Sequence, residues 1–411
     1  MGADLIIRNA RLRSGRICDI AIKETRIQSV DEKSDISSTH TIDAHRKLIT
    51  ETFVIAHLHL DKVLTGYLAD EAALTQYHGS SKTNAMTAVE LASKVKEHYV
   101  ESEIEQRIRR VLTDAEYYGV SHIRAFADVD NRVGLKGIRA LLKMKDEFKD
   151  RIGIQIVAFP QDGIIREPGA EELLYKSMEL GADVVGGIPW IEPRKKDSKK
   201  HIKIGFEIAK QFDADIAMLT DDAADPALRT TEYLATETIR NGWIGRVTAC
   251  HARSTALYSS AHHRKLVALL KKAGVDVVTN PHTGPLHVRV KLLLNAGVTV
   301  ALGQDDVYDA YYPYGRCNML EVAFLAGHIL WMMTREDREV LYNMITVNPA
   351  KIMKLADYGL VPGKAANLII LKAEDSREAL ASHTAPAVVI RNGIVQCETR
   401  LNRSRRDDRA Y

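Results

Sequence analysis

Two histidines at the end of an apolar segment are the residues of this sequence most suited to chemistry. His57 and His59 follow the apolar run 53–56, which is typical of a buried β-strand. Because residues two apart on a strand point the same way, both imidazoles are expected to face one side. Two such imidazoles can hold a divalent ion and leave room for carboxylates and water. The pair alone is a weak signal, since hydrogen bonds to loop carbonyls would also explain it.

An acidic pair follows another apolar segment much later in the chain. Asp305 and Asp306 come directly after the candidate strand 298–303. Asp305 is the candidate third metal ligand, and a carboxylate beside an activated water can also accept its proton as a general base. Capping of the next helix is the alternative role, and Asp306 suits it better. The sequence therefore predicts one divalent metal ion held by His57, His59 and Asp305.

Short apolar segments alternate with amphipathic segments through the middle of the chain. The candidate strands are 53–57, 122–127, 153–159, 183–188, 214–219, 246–251, 275–280 and 298–303. The candidate helices that follow them are 86–118, 133–149, 170–180, 197–212, 227–241, 257–273, 286–296 and 317–332. Eight such units favour an α/β fold with a (β/α)8 TIM-type barrel over an open doubly wound sheet. No G-x-G-x-x-G follows the first strand, which argues against a dinucleotide site.

The two ends of the chain carry β-hairpin patterns. Residues 5–12 resemble residues 388–395, since both contain Ile-Arg-Asn, and 366–371 is a further candidate strand. With 18–30 and 42–49, these segments predict a small composite β-sheet beside the barrel. Two unrelated hairpins are the alternative. The predicted domains are a composite β-sandwich-like domain at 1–50 and 364–399, the barrel at 51–363 and a solvated tail at 400–411.

The working residues of such a barrel lie at the C-terminal ends of its strands. Reading those ends adds the candidates Phe126, Gln161, Trp190, Asp222 and His251. His251 could bind the ion or donate to a developing oxyanion, or it could be a satisfied histidine under a loop. Gln161 offers a donor and an acceptor that suit an amide or a ring edge, although loop stabilisation explains it equally well. The histidines in other loops and helices, His282 among them, are given surface or packing roles.

The composition predicts a large globular enzyme without a nucleic-acid or membrane partner. The chain has 411 residues, of which 45% are hydrophobic and 27% charged, and its formal net charge is +3. That charge is too small to indicate nucleic-acid binding. No apolar run approaches the ~18 residues of a membrane span, and the N-terminus has no signal-peptide pattern. Four scattered cysteines lack disulfide or metal spacing, which suits a reducing cytoplasm.

At the level of motifs, the chain resembles the amidohydrolase superfamily, in particular its cytosine deaminase-like branch. The resemblance covers nearly the whole chain, in the segments 57–62, 156–161, 245–251, 303–309, 312–315, 357–363 and 366–371. It implies a metal-bearing barrel that hydrolyses a C–N bond of a small nitrogen heterocycle through metal-activated water. It assigns one zinc or iron ion to His57, His59 and Asp305, the substrate-side histidine to His251 and a ring-binding glutamine to Gln161. It also implies a homo-oligomer.

The sequence departs from the family's pattern around the pocket. Leu219 and Asp222 stand where the family has a histidine ligand and a proton-shuttling glutamate, and Phe126 and Trp190 replace two further histidines. An apolar pocket is therefore expected, and cytosine itself is not expected to be a substrate. The predicted catalytic residues are Asp305, His251 and Asp222, and the predicted substrate-binding residues are Gln161, Trp190, Phe126 and Asp306. The alternative is a metal-free or non-catalytic ligand-binding member of the same fold.

Overall fold

The N-terminal part of the chain forms short strands before the barrel begins. The computed structural model describes residues 2–69, 71–77, 81–284 and 286–398, so the predicted tail at 400–411 lies outside the described residues. The first strands are β1 (Ala3–Arg11), β2 (Ile17–Lys23), β3 (Arg26–Asp31), β4 (Ser38–Asp43) and β5 (Ile49–Glu51). The predicted strand 42–49 was wrong, because the chain turns through His45 and Arg46, which both have positive φ.

Eight parallel strands follow and form one sheet in chain order. They are β6 (Phe53–His59), β7 (Val120–Asp128), β8 (Gly153–Phe159), β9 (Val184–Gly187), β10 (Asp215–Thr220), β11 (Val247–His251), β12 (Val275–Thr279) and β13 (Val300–Leu302). The chain beyond β13 returns to β6, where the amide of His59 donates to the carbonyl of Asp305 at 2.7 Å. In return, the amide of Asp305 donates to the carbonyl of His57 at 2.9 Å. The predicted TIM-type barrel is confirmed.

The helices lie between the strands and after them. They are α1 (Glu71–Tyr77), α2 (Lys82–Ser93), α3 (Glu101–Tyr117), α4 (Lys136–Glu147), α5 (Ala170–Leu180), α6 (Lys195–Gln211), α7 (Thr230–Arg240), α8 (Ser260–Ala273), α9 (Val290–Asn295), α10 (Met319–Ile329), α11 (Arg335–Asn343), α12 (Val347–Ile352) and α13 (Ser376–Ser382). Short 3₁₀ turns occupy Gly66–Leu68, Lys94–His98, Pro189–Ile191, Arg253–Leu257 and Pro281–Thr283. In the described part of the chain, no helix has the length and apolar character needed to cross a membrane.

The single helix predicted at 86–118 was wrong. The chain leaves the helix after α2, passes through the Lys94–His98 turn and begins α3 at Glu101. Lys96 in that turn is buried, and its ammonium lies 2.6 Å from Asp130 and 3.2 Å from Asp162. These ion pairs tie the turn to the rim of the barrel. Tertiary contacts of this kind override a helical pattern in the sequence.

The remaining strands complete two small sheets beside the barrel. They are β14 (Leu368–Ile370), β15 (Val388–Arg391) and β16 (Ile394–Glu398). One sheet has the order β3-β2-β1-β4, and the other has the order β16-β15-β14-β5. Ile7 and Ile20 from the first sheet share a buried apolar core with Leu368 and Val388 from the second. The two ends of the chain therefore build a composite unit. It contains two sheets rather than the single sheet that was expected. The predicted domain boundaries stay a prediction.

Candidate active site

A β-bulge in β6 turns its two histidines into the barrel. Ile55 and Leu58 both pack outward, in the core between barrel and helices, so strict alternation from Ile55 would also turn His57 and His59 outward. Between Ile55 and Leu58, however, the pairing of β6 with β7 shifts register. Both imidazoles consequently pack against Phe126 inside the barrel, with ring centroids 4.0 and 5.4 Å away. Bulges commonly re-aim side chains beside active sites in this way.

Three imidazoles converge on one carboxylate oxygen at the C-terminal edge of the barrel. His57 Nε2 lies 2.8 Å from Asp305 Oδ1, and His59 Nε2 lies 3.6 Å from the same oxygen. His251 Nε2, at the end of β11, is also 3.6 Å from it. All four side chains are buried. We call these residues, His57, His59, His251 and Asp305, the histidine cluster; it joins the three predicted metal ligands and the predicted substrate-side histidine.

Two members of the histidine cluster have backbones in the left-handed region. His251 has a φ of 65° and Asp305 a φ of 62°. Residues with a Cβ rarely adopt this region, and such backbones cluster at functional sites. His251 is the last residue of β11 and Asp305 lies three residues beyond the end of β13, so both turns stand at the C-terminal edge of the barrel.

The protonation states of His57, His59 and Asp305 suit metal binding, whereas the pKa of His251 is raised, against the effect of burial, by Asp222 and Asp305. Burial lowers the pKa of His57 and of His59, so both imidazoles favour the neutral form that a metal requires. Burial alone would raise the pKa of Asp305, but His251, His282 and His57 hold it well below its ordinary value. Asp305 is therefore a carboxylate, the form that binds a metal.

His282 belongs to this site, although only a surface or packing role was predicted for it. Its Nε2 lies 3.3 Å from Asp305 Oδ2 and 3.4 Å from Asp306 Oδ2. Burial alone would lower the pKa of His282, but these two carboxylates raise it to about 9. The signal that could have revealed it is the position of Asn280-Pro281-His282 directly after β12, since strand ends carry the working residues of a barrel.

Asp222, after β10, is held by a buried cation. Arg253 Nε donates to Asp222 Oδ1 at 2.5 Å, and its Nη2 donates to the Asp222 carbonyl at 3.1 Å. Burial would raise the pKa of Asp222, but Arg253 and then His251 lower it. Asp222 Oδ1 also lies 3.3 Å from His251 Nδ1. This arrangement places Asp222 behind His251, where it can orient the imidazole.

A cavity opens beside the histidine cluster. The predicted residues Gln161, Trp190, Asp222 and Asp306 line it together with His59, His251 and Asp305. Its apolar lining comes from Ala85, Val89, Ile188 and Leu219. Leu219 therefore faces the site, as its alignment with a family ligand implies. Phe126 is fully buried beneath the rings of His57 and His59, so it supports the metal ligands and is not part of the cavity lining.

Gln161 is fixed by a buried lysine. Lys62 Nζ donates to Gln161 Oε1 at 2.9 Å, and the same ammonium lies 2.9 Å from Asp128. Burial would lower the pKa of Lys62, but Asp128 and Asp61 raise it above its ordinary value. The amine is thus a permanent donor to the glutamine oxygen.

The histidine cluster can hold a metal ion. His57 Nε2 is buried and lies in no hydrogen bond of good geometry within the described residues, despite its closeness to Asp305. A buried polar atom left in this state indicates a missing partner such as an ion. Imidazole and carboxylate donors are those that zinc and iron accept, and ligand atoms of His57, His251 and Asp305 lie within 4.8 Å of one another. The donor set fits, with Leu219 as an apolar neighbour.

A parallel barrel with histidines and an aspartate at its C-terminal edge defines a class of metal-dependent hydrolases. The chain matches the model of the amidohydrolase family over residues 40–396, and it belongs to that family. Members of this family generally use a divalent metal ion. The predicted membership of the chain in the cytosine deaminase-like branch of this family is confirmed.

Individual relatives cover almost the whole chain. N-isopropylammelide isopropyl amidohydrolase of Pseudomonas sp. (strain ADP) is 31% identical over 396 residues, which are 95% of this chain and 96% of that protein. Pterin deaminase of Rhizobium rhizogenes is 27% identical over 369 residues, 86% of this chain and 81% of the relative. A crystal structure of 5-methylcytosine deaminase from Klebsiella pneumoniae, liganded with phosphonocytosine, superposes with a TM-score of 0.88 at 30% identity and covers 96% of this chain and 98% of that chain.

Proposed function

We propose that the protein hydrolyses a C–N bond of a small nitrogen heterocycle, by deamination or by amide or ring hydrolysis, with one zinc or iron ion in the histidine cluster. The observation that carries the proposal is the convergence of three Nε2 atoms on Asp305 Oδ1. A metal held there supplies a Lewis acid and activates water. His57, His59 and Asp305 are the proposed ligands. His251 is the proposed fourth ligand or a donor to the oxyanion.

The carboxylates and His282 handle protons in this proposal. Asp305 Oδ2 faces His282 rather than the other three imidazoles. Because the two carboxylates raise the pKa of His282 to about 9, His282 acts as a proton donor, and a proton taken up at Asp305 is passed to Asp306 beside it. Asp222 is assigned the role of orienting His251, because Arg253 already occupies its carboxylate. This differs from the proton transfer expected of Asp222 from the sequence, which stays a prediction.

The cavity lining supports a substituted or weakly polar ring as substrate. Trp190 and Leu219 stand where the family pattern has polar histidines, and Ala85 and Val89 of α2 add to the apolar lining. An unpaired polar group buried against such a lining costs about 1–3 kcal/mol. The relatives named above act on an ammelide, a pterin and a methylated cytosine. We therefore assign to this chain a ring that carries an alkyl or fused aromatic surface.

The test is an assay of amine release with protein of known metal content. Metal-loaded protein is incubated with N-isopropylammelide, pterin, 5-methylcytosine and cytosine, and ammonia or isopropylamine is measured. We expect turnover of a substituted ring, little turnover of cytosine, and loss of activity in Asp305→Ala. Robust turnover of cytosine would contradict the substrate preference inferred from the apolar lining of the cavity. If the protein binds no metal and releases no amine from any ring of a broad panel, the alternative of a non-catalytic ligand-binding protein with this fold would be favoured.

A further inference from the structure

An apolar groove lies between the start of α9 and the end of α10. Its volume is about 390 Å³, which is within the range of pockets that hold small aromatic groups. Among the described residues it shares no lining with the cavity beside the histidine cluster. We call it the outer groove, and its lining includes His287, Val290, Leu292, Ile329, Leu330 and Met332.

His287 supplies a hydrogen-bond acceptor at the outer groove. The residue is only 6% exposed, and burial lowers its pKa to about 4, so the imidazole is neutral. A hydrogen bond to the backbone of Gly284 occupies the other ring nitrogen, which leaves Nε2 as a lone-pair acceptor. This Nε2 is buried and has no partner among the described residues. A buried polar atom in this state indicates a missing donor.

Trp331 projects into solvent at the edge of the same groove. It is 79% exposed, although its neighbours Leu330 and Met332 line the groove. Its φ is 52°, because α10 ends there in a Schellman motif: the amide of Trp331 donates to the His328 carbonyl at 3.4 Å, and that of Met332 donates to the Gly327 carbonyl at 2.9 Å. Glycine is the usual residue at this position, and bulky residues rarely adopt this backbone. A tryptophan held here in solvent therefore indicates a contact outside its own chain.

The surface around Trp331 is apolar as well. Leu292 is 51% exposed, Met333 47% and Phe324 37%. Met332 forms a wall of the outer groove and also of a second groove of about 200 Å³, which Phe324 and Met333 line. Exposed apolar surfaces of this extent mark interaction sites.

The charges beside the outer groove favour a neutral occupant. Lys291 Nζ lies 2.7 Å from Asp337, and Arg289 donates to two backbone carbonyls at 3.0 and 2.7 Å. These two side chains repel a cationic occupant, while a carboxylate would set an acceptor against the acceptor of His287. The occupant that fits is neutral, apolar and equipped with one hydrogen-bond donor. An indole side chain has these properties.

We propose that two copies of the chain form a dimer in which Trp331 of each copy enters the outer groove of the other and donates its indole N–H to Nε2 of His287 there. Each copy carries the projecting donor and the receiving groove on one face, and a self-complementary face of this kind pairs about a twofold axis. Two inserted tryptophans bury roughly 300–500 Å². The rest of the roughly 1,600 Å² of a standard interface comes from the surrounding surface of Leu292, Phe324 and Met333. The dimer depends neither on the metal nor on turnover.

Sedimentation equilibrium of the full chain over a range of concentrations tests the dimer. Wild type should be dimeric at micromolar concentrations, and Trp331→Gly should be monomeric, because it removes the inserted side chain. This variant should stay folded, since glycine suits the left-handed backbone. His45→Gly, at an exposed residue with a φ of 49°, makes the same backbone change elsewhere and should leave the dimer intact. A monomeric wild type, or a Trp331→Gly variant that dimerises like wild type, would overturn the proposal.

Tryptophan fluorescence shows whether Trp331 lies in the interface. Of the three tryptophans, Trp190 is buried and Trp243 is half-buried, so Trp331 dominates any change in exposure. As the protein concentration rises through the dissociation constant, the emission should shift to shorter wavelength and become less sensitive to quenching by acrylamide. Association without this shift would place the interface elsewhere and would also overturn the proposal.

A double-mutant cycle tests the hydrogen bond itself. Trp331→Phe keeps an aromatic ring but removes the N–H, and His287→Phe removes the acceptor. Each should weaken the dimer roughly 25-fold, because symmetry removes two hydrogen bonds of about fivefold each. The double variant should lose little more than either single variant. Fully additive effects would contradict the contact between the indole and the imidazole. If His287→Phe does not fold, Trp331→Gly still decides the proposal.

Discussion

His57 and Asp305 are joined twice, through the backbone and through the side chains. The amide of Asp305 donates to the His57 carbonyl at 2.9 Å, and His57 Nε2 lies 2.8 Å from Asp305 Oδ1. The same contact that closes the barrel therefore sets the distance between two proposed ligands. Metal affinity and closure of the sheet depend on the same few atoms.

Removal of either ligand should reduce the metal content. Wild type grown with added zinc and iron should contain up to one ion per chain, and His57→Ala or Asp305→Ala should contain less, because each removes one donor from the histidine cluster. Elemental analysis of the purified proteins measures this. His328→Ala, at an exposed histidine of α10, is the control. Equal absence of metal from all four proteins would contradict the proposed site.

Leu219→His should raise the metal affinity. Leu219 lines the cavity beside His251 and Asp305, so an imidazole there would add a donor. Loss or gain of one supporting group changes metal affinity ~10–100-fold, and competition with a chelator can resolve that change. Leu219→Met keeps the size of the side chain without an imidazole and serves as the control. Unchanged affinity in Leu219→His would show that this position does not reach the ion.

Arg253→Met should destabilise the fold by about 3 kcal/mol, because it leaves the carboxylate of Asp222 buried without its cation. The free energy of unfolding in urea measures this. Arg109→Met is the matched comparison, since the Arg109–Glu147 pair is solvent-exposed and should cost under about 1 kcal/mol. The double variant Arg253→Met/Asp222→Asn should recover part of the loss. Equal small effects of the two single variants would contradict this account.

His201 should make folding sensitive to acid. Burial lowers the pKa of His201 below its unfolded value of 6.5, so the folded state favours the neutral ring. The stabilisation is complete above pH 6.5 and is lost as the pH falls toward the folded pKa. The pKa of Glu192 is also lowered, against the effect of burial, by His201, which acts in the same direction.

Comparison with a variant isolates this contribution from those of other groups. His201→Gln keeps an acceptor and a donor but cannot titrate. The free energy of unfolding of wild type should fall more steeply between pH 7.5 and 5.5 than that of the variant. If the free energies of unfolding of wild type and variant depend on pH in the same way, the pKa of His201 is the same in the folded and unfolded states.

The strands and their order could be predicted from the sequence, because buried parallel strands read as continuous apolar runs between amphipathic helices. The same reasoning placed His57, His251 and Asp305 at strand ends. It could not show the bulge that turns His57 inward, since a one-residue register shift depends on the neighbouring strand. His282 was missed because it lies three residues beyond the end of β12, where the sequence does not distinguish a site histidine from a surface one; its partners, Asp305 and Asp306, follow the neighbouring strand β13.

The buried charges behind Gln161 constrain how the specificity of this protein can change. Lys62 and Lys96 share Asp128, and Lys96 also reaches Asp130 and Asp162. Replacing one member leaves an opposite charge uncompensated in the interior, at a cost of about 3–5 kcal/mol. Substitutions here are therefore epistatic: an exchange that is tolerated as a pair strongly destabilises the fold as a single step. Laboratory evolution of the substrate preference would need libraries that vary these positions together, because scans of one position at a time would favour the original set of charges.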